Sequence, residues 1–312
     1  MKKYLFPLGI AAFVLPLMTS SCSSSDDEPP VVEEFSGELP GAVYSGQAAS
    51  YEIAEGTLRD KSGRASLTAM NVTESGKAVF EVRTSDGTKF ATYNATIDGD
   101  TYVITDAAGR QVGQVKKSAA NRAADDVTVT ILVTVTIDGV DYTFEATVTA
   151  KVTSVDPSSV STKERNLART WTVASMNIVL EGDVDLTKIV YSGNLKEFAD
   201  AAQEAGAELN EEEIRALSKN VSSVSFDKSG LFSIEYSNGT TDAACWQWTE
   251  GERQEYIHLT QRGGAEFGNK FLSDRSVIKV DFTPSSVALT MDTDIKGSKS
   301  YTATLTIVLK QP

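Results

Sequence analysis

The stretch VTVTILVTVTIDGVDYTFEATVTAKV, residues 127–152, decides the fold class. Valine, isoleucine and threonine alternate with a period of two on either side of Asp138-Gly139. β-Branched residues pack well on a pleated, half-buried surface, and alternation sends one set inward and the other to solvent. An Asp-Gly pair supplies the left-handed backbone that a tight hairpin turn demands. The segment therefore predicts two antiparallel strands joined by a short turn.

Upstream, YEIAEGTLRD, ASLTAMNVTE, AVFEVRTS, KFATYNATID, TYVITD and QVGQVKKS have the same β-branched and aromatic character. Asp-Gly pairs at 86–87 and 98–99 separate successive runs, so neighbours in sequence are expected to pair as an antiparallel meander. The polar SAANRAADD at 118–126 interrupts it. A hairpin over 127–153 is marginal alone, which makes the interruption a loop within one unit.

Downstream, SVDPSSVSTKE (154–164) is a serine- and proline-containing joint, and RNLARTWTVASMNIVLEG begins a second unit. In NLKEFADAAQEAG, Asn194 caps a helix with Leu195, Phe198, Ala202 and Ala205 on its apolar face, and Gly206 ends it. NEEEIRALSKN (210–220) restarts a helix, with Asn210 and Glu213 at capping-box spacing. Strands are then expected over 221–227, 230–237, 242–249, 254–261, 276–282, 286–293 and 300–309. A meander of eight strands leaves no edge exposed only by closing on itself, so a barrel is expected. Barrels of that size hold packed side chains or one small ligand. The chain is thus expected to be all-β, with two antiparallel β domains, the C-terminal one a barrel with a short helical insertion.

The first thirty-five residues belong to neither domain. Lys2 and Lys3 precede an apolar run, Leu5 to Met18, that is broken by Pro7, Gly9 and Pro16 and is short for a bilayer span. It reads as a secretory signal peptide. Thr19, Ser20 and Ser21 lead up to Cys22, and SSSDDEPP follows it. This arrangement resembles the bacterial lipoprotein signal in its Bacteroidetes form. The resemblance implies cleavage before Cys22, acylation of that cysteine, and a surface-export tether, placing the protein on the outer membrane facing the exterior, with the periplasmic face as the alternative. Several acyl chains anchor firmly.

Cleavage there removes two lysines and no acid, taking the net charge from −14 to −16. Such acidity excludes nucleic acid as a partner, since that needs a basic footprint, and electrostatic attachment to anionic lipid. Acylation of Cys22 leaves Cys245 with no disulfide partner.

LARTWTV, residues 167–173, resembles the Leu-x-Gly-x-Trp entry to the first strand of lipocalin and other calycin barrels. Leu167 and Trp171 match, while Arg169 replaces the glycine. The resemblance implies that Trp171 plugs one end of the barrel and that the chain is similar to lipocalin-like lipoproteins of gut Bacteroidetes. For the N-terminal half, opened by GAVYSGQ, a diverged second copy and a sandwich both stand open. The expected division is 1–21 signal peptide, 22–35 tether, 36–155 N-terminal β domain, 156–164 linker and 165–312 barrel.

Chemistry has few candidates. The one histidine, His258, lies in EYIHLTQ with Tyr256 and Thr260 on its face of the strand. It has no cysteine nearby for a zinc site, no Gly-x-Ser-x-Gly elbow exists, and no glycine-rich phosphate loop opens a helix. DVD at 183–185 and DTD at 292–294 lack the glycine and distal glutamate of a calcium loop. No catalytic residue, metal or cofactor is expected. Trp246 and Trp248 share one strand face and Cys245 the other. The expected function is non-enzymatic binding of a small apolar or sugar-like ligand, with Trp246, Trp248, Tyr256 and Phe198 lining the site. Core packing is the alternative role for the tryptophans. The alternative functions are an adhesin-type, fimbrial-like surface subunit and a hydrolase using His258.

Overall fold

The structure, a computed structural model, describes residues 35–40, 48–118, 126–154, 160–191, 193–207, 209, 211, 214, 218–249, 254–261, 277–296 and 299–311. The signal-like segment, Cys22, the tether up to residue 34 and most of the helix expected over 210–220 lie outside the described residues.

The first eight strands are β1 (Ala49–Ile53), β2 (Ser66–Val72), β3 (Lys77–Thr84), β4 (Gly87–Asp98), β5 (Thr101–Thr105), β6 (Gln111–Lys117), β7 (Asp126–Ile137) and β8 (Val140–Ser154). Each pairs antiparallel with the next. β8 then returns to β1, from Ala49↔Ser154 to Ile53↔Ala150. The N-terminal unit is therefore a closed eight-stranded barrel rather than a sandwich. β6 pairs directly with β7, so the chain on both sides of the polar stretch belongs to one ring.

The opening stretch folds as its alternation requires. Ile137 and Val140 pair across Asp138 and Gly139, which take φ of 51° and 78°. Val129, Ile131, Val133, Val135 and Ile137 face the barrel interior, and Thr128, Thr130 and Thr136 are exposed. Tyr51, Phe80, Tyr102 and Phe144 in the same interior are each no more than 2% exposed. The centre of this ring is packed core.

The second ring starts with α1 (Thr162–Leu167), capped by Ser161, which accepts the Glu164 N–H at 3.1 Å. The joint expected over 156–164 thus already contains the start of a helix. β9 (Thr170–Gly182) carries two strands on one flank. β10 (Leu186–Tyr191) pairs with Ser175–Leu180, and β11 (Val221–Phe226) with Thr170 and Trp171. Both run antiparallel to β9, so they form one strand position broken in the middle. The break holds α2 (Leu195–Glu204). β12 (Leu231–Tyr236), β13 (Thr241–Trp248), β14 (Tyr256–Gln261), β15 (Val277–Phe282), β16 (Ser286–Lys296) and β17 (Ser300–Lys310) follow as a meander. β17 closes on β9 from Tyr301↔Gly182 to Lys310↔Thr172. The C-terminal unit is a closed eight-position antiparallel barrel, compatible with a lipocalin- or calycin-like fold.

Both rings belong to one compact body, Glu34–Pro312. The outer faces of β3 and β4 meet those of β12 and β13 through Val79, Phe90, Leu231 and Ala243. Phe90 and Thr241 bridge their backbones, and the hydroxyls of Thr92 and Thr241 lie 2.9 Å apart. At the turn between β2 and β3, Ser75 Oγ is 2.6 Å from Thr170 Oγ1.

Residues 35–40 precede the first ring in sequence yet pack on the second. Leu39 is 2% exposed and lies in the C-terminal core with Leu167 and Trp171. Asn166, itself 1% exposed, accepts the Leu39 N–H and donates to the Gly37 carbonyl, each at 2.8 Å. Arg165 binds Glu38 at 2.8 Å, and Arg169 donates to the Pro40 carbonyl at 3.0 Å. Chain entering and chain leaving the first barrel are clasped together.

Candidate functional site

Strands alternate in direction, so the C-terminal barrel has two distinct ends. The lower end holds α1, the turn between β11 and β12, and the connection from β13 to β14. Trp171 is fully buried there, its indole N–H donating to the Leu167 carbonyl at 2.9 Å and the Arg169 guanidinium lying 5.3 Å from its ring. Burial lowers the affinity of that guanidinium for its proton. Trp171 pairs with Val224 on the interior face, where its indole helps to close this end together with α1 and Leu39.

Trp246 belongs to the same end. Its indole N–H donates to the Asp227 carbonyl at 2.7 Å, and its ring meets Phe226 edge-on at 5.5 Å. Trp248 lies 5.9 Å from Trp246, also edge-on, and its buried indole nitrogen has no hydrogen-bond partner among the described residues. Both indoles share the inward face with Leu259 and Ile257, their cross-strand partners. Much of what they do is core packing, which aromatic area favours.

Tyr256 does not join them. Ile257 and Leu259 occupy the inward positions of β14, so Tyr256 and His258 face outward, and Tyr256 is 39% exposed. It pairs with Lys279, whose ammonium binds Asp281 at 2.9 Å. The physical reason for this correction is parity: an apolar Ile-x-Leu takes the core face of the strand and expels its alternates. His258 pairs with Gln247 and Val277, and Cys245 with Leu231 and Thr260, all on the outer face. Among the described residues, no group of three His, Cys, Asp or Glu is placed to hold a metal ion.

Phe198 lies at the opposite, upper end. α2 is amphipathic and capped by Asn194, which accepts the Glu197 N–H at 3.4 Å. Its Leu195, Phe198, Ala199 and Ala202 are buried in the barrel's core cluster. The far end of the helix is fixed by Lys299, in the turn between β16 and β17, which donates to the Gly206 carbonyl at 2.6 Å. Near its start, Glu197 pairs at 2.9 Å with Lys188, on the inward face of β10. The helix therefore lies over the end where the barrel wall is incomplete: among the described strands β10 pairs with β9 alone, because β12 bonds β11.

Under this end the structure brings together a polar group that the sequence analysis missed. Tyr236 and Asp242 both point inward across the turn between β12 and β13, and the phenol donates to Asp242 Oδ2 at 2.8 Å. Burial and the neighbouring carboxylate push the Tyr236 phenol far above the ordinary tyrosine range. Lys219, returning from the α2 excursion, lies 4.9 Å from the Tyr236 ring. The signal was an acid at an inward-phase position, two residues before Ala244 and three after the glycine of a Ser-Asn-Gly turn. The four residues expected to line one site thus divide into Trp246 and Trp248 below, Phe198 above and Tyr256 outside.

Scanned against protein-family models, the chain matches none, and no curated protein matches it.

Proposed function

We propose that the chain is a non-enzymatic outer-membrane lipoprotein of the Bacteroidetes type, anchored through Cys22 and facing the cell exterior. Its C-terminal barrel takes a small apolar or sugar-like ligand at the α2-covered end. One observation carries this reading: the second strand position is broken, and an amphipathic helix, rather than sheet, covers the break. Helix docking through a few apolar side chains is easier to undo than a hydrogen-bonded wall. Beneath it lie an apolar surface from Phe198 and Tyr301 and one inward carboxylate, Asp242, with its Tyr236 partner. That combination, apolar walls with a few placed polar groups, is typical of small-molecule sites. The packed interior of the first barrel supports a supporting or partner-facing role for that ring.

The experiment is a calorimetric titration of the mature chain with fatty acids and with mono- and oligosaccharides. Binding by the parent is expected to weaken at least tenfold in Phe198→Ala and Asp242→Asn and to persist in Trp248→Phe. The opposite pattern places the site at the lower end, and no binding by any compound removes the reading. The adhesin-type alternative draws on an edge left unpaired among the described strands, that of β10 with Ile189 43% exposed. Chain-length growth of oligomers with concentration, abolished by Ile189→Lys, favours it.

A further inference from the structure

At the α2-covered end of the second barrel, two opposite charges flank one phenol without pairing. Asp242 occupies an inward position opposite Ile234 and is half-buried. Its Oδ2 accepts the Tyr236 hydroxyl at 2.8 Å, and its side chain has no other partner among the described residues. A carboxylate has room for about four hydrogen bonds, so Oδ1 is left to take a donor. Lys219, on the chain returning from α2, holds its ammonium 4.9 Å from the centre of the same Tyr236 ring. It too lacks an acid within ion-pair distance among the described residues. Tyr236 itself is 3% exposed and fixed in the core, so it sets the spacing of the two charges.

The neighbouring charges are already answered. Lys188 binds Glu197 at 2.9 Å, and Lys299 donates to the Gly206 carbonyl at 2.6 Å. What remains is one free carboxylate oxygen and one free ammonium, held apart on a rigid ring beside the apolar Phe198 and Tyr301. Charges partly withdrawn from water gain most from a partner of opposite sign.

We propose that this end takes a small zwitterion, an α-amino acid with an apolar side chain, its ammonium on Asp242 and its carboxylate on Lys219. The proposal rests on the reading that the α2-covered end is the ligand site, and it names the polar end of that ligand. A fatty acid brings a carboxylate for Lys219 and sets nothing but like charge or hydrocarbon against Asp242. A neutral sugar meets both groups without a charge of its own on either bond. An amino acid answers both with hydrogen bonds charged on each side and leaves its side chain for the apolar wall.

The test is calorimetric titration of the complete mature chain with three ligands. These are L-phenylalanine, N-acetyl-L-phenylalanine, which lacks the ammonium, and L-phenylalaninamide, which lacks the carboxylate. The parent is expected to bind the free amino acid at least about tenfold more tightly than either blocked form. Asp242→Asn keeps an acceptor for Tyr236, and should weaken the amino acid about tenfold or more while leaving the N-acetyl form unchanged. Lys219→Gln should weaken the amino acid equally and leave the amide unchanged. This matching of variant to blocked ligand is a double-mutant cycle, whereas a merely structural role lowers all three affinities alike. Equal binding of the three ligands by the parent, or no binding of phenylalanine, overturns the proposal without any variant having to fold. Losses shared by all three ligands in the variants overturn it equally. Fatty acids or sugars bound by the parent and lost in Phe198→Ala, with phenylalanine ignored, overturn the zwitterion while the ligand end itself stands.

Discussion

Replacing Asn166 by alanine, alone and together with Leu39→Ala, tests whether residues 37–40 hold to the second barrel as a unit. Asn166 satisfies the Leu39 N–H and the Gly37 carbonyl in a buried setting. If the segment stays in place without it, the buried Leu39 N–H goes unsatisfied at about 1–3 kcal/mol, and the part-buried Gly37 carbonyl loses a hydrogen bond worth about 1 kcal/mol. If the segment peels away, water satisfies both groups, and the loss becomes the burial of Leu39, about 1.5–3 kcal/mol. The mostly exposed Glu38 pair adds at most about 1 kcal/mol. The chain takes the cheaper route, so Asn166→Ala is expected to cost about 2–4 kcal/mol. Leu39→Ala removes the apolar anchor directly and is expected to fall within about 2–4 kcal/mol as well. Once either change has released the segment, the other has little left to remove. The double variant should therefore lie within about 0.5 kcal/mol of the worse single variant, far from additivity. Urea unfolding of the four proteins, with equal slopes, measures this cycle. Additive losses would falsify the view that segment and Asn166 form one cooperative clasp.

Two further outcomes follow from the backbone and the buried phenols. Gly139→Ala places a β-carbon in open space at positive φ and should cost about 1–2 kcal/mol of thermal stability from strain alone. Gly113→Ala should cost more, because its β-carbon would lie 2.3 Å from the Leu132 carbonyl oxygen and 2.5 Å from Val133 Cα, both backbone atoms. Equal melting temperatures for the two variants contradict this. Tyr51, bonded hydroxyl to hydroxyl with Tyr102 at 2.9 Å, and Tyr236 are both raised well beyond the ordinary tyrosine value, chiefly by burial. The folded chain therefore keeps protons that the unfolded chain loses above about pH 10, and stability should fall with rising pH from there. Ultraviolet titration should show these two phenols ionising only on unfolding, and Tyr51→Phe with Tyr236→Phe should remove that silent fraction.

Local chemistry made the strands legible. Period-two alternation and the Asp-Gly turns reproduce the hairpins from β3 to β8, and Asn194 and Gly206 bound α2 as expected. Closure was harder to read, because β1–β8 and β9–β17 join residues about 100 or more positions apart and leave no local trace. The same holds for Leu39, whose partners lie 127 residues away. The helical insertion was visible, but its position in the middle of a strand emerges only when β10 and β11 are seen side by side on β9. Trp171 was found through its motif, and it is buried beside α1 with its indole N–H on the Leu167 carbonyl. Tyr256 was misplaced although its strand held the answer: Ile257 and Leu259 already claimed the inward parity. Asp242 was overlooked because an acid on the core side of a strand runs against composition-based expectation, and its partner Tyr236 lies across a turn.

The clasp also sets the path that mechanical load takes through the molecule. A pull applied upstream of Phe35 reaches Gly37 to Pro40 first, where Asn166 and Arg169 hand it to the second barrel, and Gln311 near the other terminus meets Pro40 at the same spot. The first barrel, residues 48–154, lies in sequence between the clasped segments and so off the loaded path until the clasp breaks. Load entering at that point is borne by one ring while the other is bypassed, its fold and outer face undisturbed.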